Sequence, residues 1–119
     1  MSLWEVSGTD EFAEWYGDLD VDDQTAVDFS VGVLEEGGPS LGRPHVDRVE
    51  NSKFPNMKEL RAQSGGKPLR IFFAFDTNRE AILLIGGDKT GDNRFYKRMI
   101  PQADSLYQRH LDDLEHDDG

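Results

Sequence analysis

The chain is 119 residues long, with 13 basic against 24 acidic residues, a formal charge of -11, and hydrophobic and aromatic shares of 36% and 10%. That is apolar material enough for one compact domain spanning residues 1–119, and too little length for two. Having no Cys, the chain excludes disulfides, zinc–thiolate centres and thiol nucleophiles, and its charge of -11, taken whole, weighs against phosphate contacts, which are made chiefly by Lys and Arg.

Leu3 to Val6 alternates and predicts a short first strand, with Ser7 to Asp10 as turn and helix cap. The spacing of Phe12, Trp15, Tyr16 and Leu19 predicts an amphipathic helix, interrupted by the polar stretch Asp20 to Gln24. From Asp22 a second helix follows through Ala26, Val27, Phe29, Ser30, Val33 and Leu34, and Gly37-Gly38-Pro39 stops it. Ser40 to Pro55 reads as a crossing loop anchored by Val46, Val49 and Phe54. Met57 to Arg61 and Leu69 to Asp76 then form an antiparallel hairpin that turns over Gln63 to Pro68. The apolar run Ala81 to Ile85 predicts a strand covered on both faces, closed by Gly86 to Gly91. Helical spacing returns from Phe95 to Leu114, broken once at Pro101, and the tail from about Glu115 is expected to be disordered.

The order β-α-α-β-β-β-α makes the fold class α+β: a small, mostly antiparallel sheet carrying two N-terminal helices and a C-terminal helix. No stretch approaches the roughly 18 apolar residues of a membrane span, and Met1 to Phe12 lacks the charged and apolar regions of a signal peptide. A cytoplasmic protein without membrane contact is expected.

Charge is unevenly spread. Residues 1–42 carry 11 acidic and no basic residues, residues 43–98 carry 12 basic against 7 acidic, and residues 99–119 carry 6 acidic with Arg109 alone. The predicted strands are therefore basic and the helices acidic. Acidic helices are commonly just solvated faces, but that does not account for the basic middle.

A hairpin register with Arg61 opposite Arg70 makes two guanidiniums direct cross-strand neighbours, which is unfavourable unless an anion or a carboxylate fills the gap. They mark either a phosphate site or ordinary ion pairs with Glu59 or Asp76. Lys89 leaves the next strand after two glycines, and Arg94, Tyr96, Lys97 and Arg98 follow closely. Cations with one stacking ring are what a groove for single-stranded RNA or DNA requires. Other patterns carry less. Gly86 to Gly91 lacks the spacing of a phosphate loop and reads as a turn. His45, His110 and His116 are too scattered for a metal site, so no metal and no cofactor are expected.

Asn56 to Arg61, Leu69 to Asp76, and Ala81 to Lys89 with its Gly-Gly-Asp-Lys ending resemble the RelE/ParE superfamily of type II toxins, in particular its HigB-like, phage-derived branch. Trp4-Glu5-Val6, Gly38 to Pro44, and Tyr96 with Ile100 to Asp104 extend the resemblance over nearly the whole chain. The fold it implies agrees with the reading above. It further implies an mRNA interferase that enters the ribosome and cuts mRNA, and a cognate antitoxin, usually a helix-turn-helix protein, covering the open sheet face and hairpin. A homodimer stays open.

Carried over by position, Lys58, Arg61, Arg70, Lys89 and Tyr96 are the catalytic candidates, with Arg94, Lys97 and Arg98 as RNA contacts. The histidine of the HigB branch has no counterpart here. On this reading the RNA 2′-hydroxyl attacks its neighbouring phosphate, Arg61 and Arg70 stabilise the transition-state charge, and Tyr96, Lys58 or Lys89 serves as base or acid. Two alternatives share the fold: a ParE-like DNA gyrase inhibitor, and a non-toxic homologue that keeps only antitoxin binding. RNA docking is expected on the basic middle alone, and to weaken steeply with salt.

Overall fold

A computed structural model describes residues 3–117. The elements are β1 (Val6–Gly8), α1 (Asp10–Gly17), α2 (Val21–Gly37), β2 (Val46–Arg48), β3 (Lys58–Ser64), β4 (Lys67–Phe75), β5 (Ala81–Asp88) and α3 (Phe95–Asp117), with a 3-10 turn at Gly38–Ser40. The five strands form one sheet in the order β1-β5-β4-β3-β2. Only β1 runs parallel to its neighbour, β5, and the other pairings are antiparallel. This is the expected α+β fold. Among the described residues no helix is long and apolar enough to cross a membrane.

Strand alternation sorts the core into two layers. Leu60, Ala62, Leu69, Ile71, Phe73 and Leu83 face α1 and α2, packing on Val27 and Leu34. Met57, Phe72, Ala74, Ile82 and Leu84 face α3, packing on Phe95, Met99, Ala103 and Tyr107. Phe72 and Phe73 are both 0% exposed on opposite faces of one strand, and each contributes about 1.5–3 kcal/mol by leaving water. The sheet is thus covered on both faces by different helices, as expected for Ala81 to Ile85, and the one open face expected for a partner is not left.

Four expectations change in detail. The first strand begins at Val6, because Trp4 donates its N–H to the Glu35 carbonyl at the end of α2, 2.8 Å away, and only from Glu5 does the chain meet β5. The presumed loop Ser40 to Pro55 contains an edge strand, β2, which pairs Val46 with Leu60 and Arg48 with Lys58; its three residues are too few to show a period. The sequence order is therefore β-α-α-β-β-β-β-α. The last helix is unbroken at Pro101, which lies within its second turn and leaves one backbone bond unmade beside exposed Lys97, where water can satisfy the carbonyl. That helix also continues past Glu115 to Asp117.

The hairpin turn is shorter than expected: Gly65 and Gly66, at φ 54° and 82°, join Ser64 directly to Lys67. Two successive positive φ values make the two-residue turn that matches strand twist, and glycine adopts them without Cβ strain. Counting back from this turn, Arg61 lies opposite Arg70 as the sequence suggested. The pair occupies a position without mutual backbone hydrogen bonds, where Cα atoms approach to about 4.5 Å. The outward Arg61 N–H donates to the His45 carbonyl at 2.8 Å instead.

β5 carries a bulge. Phe72 pairs with Ile85 but Phe73 pairs with Leu83, so Leu84 is the extra residue. Its carbonyl accepts the Thr9 hydroxyl at 2.7 Å, and the Thr9 hydroxyl oxygen itself caps α1 by accepting from the Phe12 N–H at 3.0 Å. The bulge inverts facing along the rest of β5, so that Gly87 lies opposite Arg70 and Lys89 comes out on the α3 side. Gly86 and Gly87 leave room for Trp15 on one face and Phe95 on the other.

Two ion pairs fasten the helices. Asp23 at the start of α2 accepts from Ser64 and Lys67, both at 2.6 Å, and these partners hold its carboxyl below the usual range. Arg109 of α3 grips Glu11 of α1 through two bonds at 2.7 and 2.6 Å, which lowers that carboxyl to about 2.

A depressed carboxyl pKa stabilises the folded state above its ordinary pKa, and the contribution fades as pH falls through the lowered value. We therefore expect the urea midpoint to fall between about pH 4.5 and pH 2, and Glu11→Gln or Asp23→Asn each to flatten that decline. Thr9→Ala should cost about 1–2 kcal/mol by removing the cap and the bulge contact together, and Thr9→Ser should restore most of it; equal midpoints for Thr9→Ala and the parent chain would contradict this account of the bulge.

Candidate functional site

On the α3 side of the sheet, at the end nearest the Gly65–Gly66 turn, side chains of β3, β4, β2 and the start of α3 converge. Glu59 is 3% exposed and lies between the two arginines. Arg61 donates Nε to its Oε2 at 3.0 Å, while Arg70 Nε approaches the same oxygen at 3.6 Å, an attractive distance but too long for a hydrogen bond. Arg70 also donates Nη1 to the Leu69 carbonyl at 3.0 Å, and its Nε is left buried without a hydrogen-bond partner.

The carboxylate that the facing guanidiniums require is therefore supplied from within the chain. Of the two readings, ion pairing with Glu59 is realised, and Asp76 instead accepts from Asn78 and Glu80 and pairs with His110. The arginines are nevertheless unequal. Arg70 is enclosed, whereas the Arg61 side chain is 29% exposed and reaches out to Asp47 at 3.3 Å. Asp47 of β2 is in turn held by Arg43 at 2.8 Å. A chain of alternating charge thus runs from buried Arg70 to the surface at Arg43. Arg43, Arg48, Glu59, Arg61, Tyr96 and Ile100 line one open groove.

Tyr96, the second residue of α3, stands beside this cluster. Burial pushes its phenol up from the ordinary value, the neighbouring Glu59 carboxylate adds to that, and Arg70 opposes it. The phenol accordingly keeps its proton at neutral pH, which suits a proton donor. Lys89 lies with its ammonium 5.1 Å from the centre of the Tyr96 ring, a cation–π distance, and it arrives there because of the bulge at Leu84.

Of the residues singled out from sequence, Arg61, Arg70, Lys89 and Tyr96 come together. Lys58 does not: alternation turns it to the α2 side, where its Nζ donates to the Pro39 carbonyl at 3.3 Å. Arg94 and Lys97 are exposed near the start of α3, and Arg98 pairs with Asp92 while resting 5.9 Å from the Phe95 ring centre. Sequence reasoning took Glu59 only as a possible ion-pair partner and passed over Asp47, Arg43 and Arg48. The signal for Glu59 was its place two residues before Arg61, on the same strand face. For Asp47 and the flanking arginines there was none, since β2 was not foreseen.

The family described as Phage derived protein Gp49-like matches residues 14–108, a span holding every member of this cluster. The chain belongs to that family. It is also 48% identical over 98 residues to "Putative toxin HigB3" of Mycobacterium tuberculosis, covering 82% of this chain and 84% of that protein. A second relative, "Putative toxin HigB2" of the same organism, is 42% identical over 112 residues, covering 92% of this chain but 56% of that protein. The HigB-like, phage-derived resemblance read from the sequence is thereby borne out. Within the Gp49-like span, β3, β4, β5 and the first turns of α3 supply the Glu59–Arg61–Arg70–Tyr96–Lys89 cluster.

Titrating the Tyr96 phenol by ring-carbon NMR should place its midpoint above the ordinary value of 10.0. Glu59→Gln should lower that midpoint without returning it fully, because burial remains. A Tyr96 that ionises at the ordinary value would overturn the described surroundings of the ring.

Proposed function

We propose that this protein is the toxin of a toxin–antitoxin pair, that it cleaves mRNA on the ribosome, and that a cognate antitoxin neutralises it. The observation that carries the reading is a partly exposed arginine and a protonated phenol on one open groove, with the Lys89 ammonium against the phenol ring. Names of relatives from Mycobacterium tuberculosis that include the word toxin support the same reading. The overall charge of -11 is not shared by the groove, whose three arginines are matched by Asp47, Glu50 and Glu59.

Chemically, cleavage at such a site is an internal displacement. The 2′-oxygen bonds to the adjacent phosphorus, the bond from phosphorus to the 5′-oxygen breaks, and a 2′,3′-cyclic phosphate and a 5′-hydroxyl remain. The 2′ proton passes to a water in the open groove, and Tyr96 gives its proton to the departing 5′-oxygen; Glu59, at 3% exposure and held by Arg61, does not meet the RNA. Arg61 and Lys89 meet the charge that develops on the phosphate oxygens. Arg70 is enclosed, and its part is to hold Glu59 and Arg61 in position. With its Nζ on the Pro39 carbonyl, Lys58 has no step in this scheme.

Expression in a translating extract, with primer extension to locate breaks in the message, tests the reading. Cleavage should appear with the parent chain, fall about 10²-fold for Arg61→Ala and Tyr96→Phe, and fall far less for Lys58→Ala. Intact messages accompanied by gyrase-dependent DNA breaks would instead assign the chain to gyrase inhibition, and growth unaffected by expression would leave it an antitoxin-binding homologue.

A further inference from the structure

α2 buries Asp23, Val27, Ser30 and Leu34 against the sheet and its hairpin, yet its outward side is apolar as well. Val21 and Phe29 are 75% and 69% exposed. They stand two turns apart with Thr25 midway, so they form one stripe along the helix. A surface helix that has already buried one face ordinarily presents polar groups on the other. Phe29 further lines a groove that passes Pro44 and His45 around the uncovered end of β3 and reaches Arg61 and Arg70. Gly32, the next residue along the stripe, has open space where a side chain would be, so another backbone can come close.

Charge decides what can lie there. Asp18, Asp20, Asp22, Asp28 and Glu36 are exposed around the stripe, and residues 1–42 contain no basic residue at all. RNA phosphates and the same face of a second copy are both repelled. A cationic protein surface with apolar anchors is attracted. We propose that α2 is the docking face for a basic amphipathic helix of the neutralising partner, its apolar side chains seated on Val21 and Phe29 and its Lys and Arg among the flanking carboxylates. The groove shares Arg61 with the one that Tyr96 lines, so a helix docked on α2 lies beside the cationic cluster and leaves its α3 side uncovered. The identity of the partner rests on the toxin reading; the surface and its chemistry do not.

The probe is a synthetic amphipathic peptide of about 18 residues, with leucines spaced i, i+4, i+7 and lysines on either side, titrated against the full chain by fluorescence anisotropy. Binding should weaken about tenfold for Phe29→Ser and for Val21→Ser, weaken again as salt is raised, and vanish when the lysines are replaced by glutamates. Both substitutions are at exposed positions, and circular dichroism of each variant is to be compared with the parent chain. Equal binding of the glutamate peptide, or full affinity in both variants, overturns the proposal. So does a loss, in these variants, of binding to a single-stranded RNA oligonucleotide or of self-association in sedimentation, since those results assign the stripe to RNA or to a second copy. Docking is read from binding alone, so a chain that binds the peptide through Phe29 and cleaves nothing sinks the nuclease reading and leaves this one standing.

Discussion

The two-glycine turn at Gly65–Gly66 fixes more of this molecule than any other contact. A turn of that length admits one register between β3 and β4, and a slip of one residue would send every side chain of the hairpin to the opposite face. In the register it enforces, Leu60, Ala62, Leu69, Ile71 and Phe73 fall to the α1 and α2 layer, and Glu59, Arg61, Arg70 and Phe72 fall together on the other. The apolar core and the charged cluster are consequences of one choice. The arginines do not meet by local attraction; the core forces them together, and Glu59 offsets the repulsion.

A second displacement, the extra residue at Leu84, completes the cluster from the other side of β4. Without it, Asp88 rather than Lys89 would come out on the α3 side of the sheet, and Tyr96 would lose the ammonium at its ring. Bulges leave a backbone group without its ladder partner, and here the Thr9 hydroxyl satisfies it. Thr9 thereby ties the start of α1 to the side chain chemistry on the far face of the sheet.

Much of this was readable from residues alone, for identifiable reasons. The hairpin register followed from alternation and turn residues, and α1 and α2 followed from helical spacing with a Gly-Gly-Pro stop. What escaped notice depended on contacts distant in sequence. β2 is held by pairing with β3 and not by its own pattern, and the bulge arises from a fit between Thr9 and Leu84, which are 75 residues apart. α3 tolerates Pro101 because the lost hydrogen bond faces water, which spacing cannot reveal. At the site, the cations were visible as residue types, but the sign and depth of their surroundings were not: whether Arg70 is enclosed or Lys58 turns away depends on which face of the sheet each residue occupies and what packs over it.

The grip of Arg109 on Glu11 joins helices that lie on opposite faces of the sheet, so it must pass around the sheet's rim. The strand at that rim, β1, is three residues long, and Arg109, Thr9 and Gly8 line the same hollow beside it. An unpaired strand edge is a template on which a stray chain can add itself. Here the clasp and the brevity of β1 together deny it purchase, so the molecule keeps this margin guarded against fibre-like stacking.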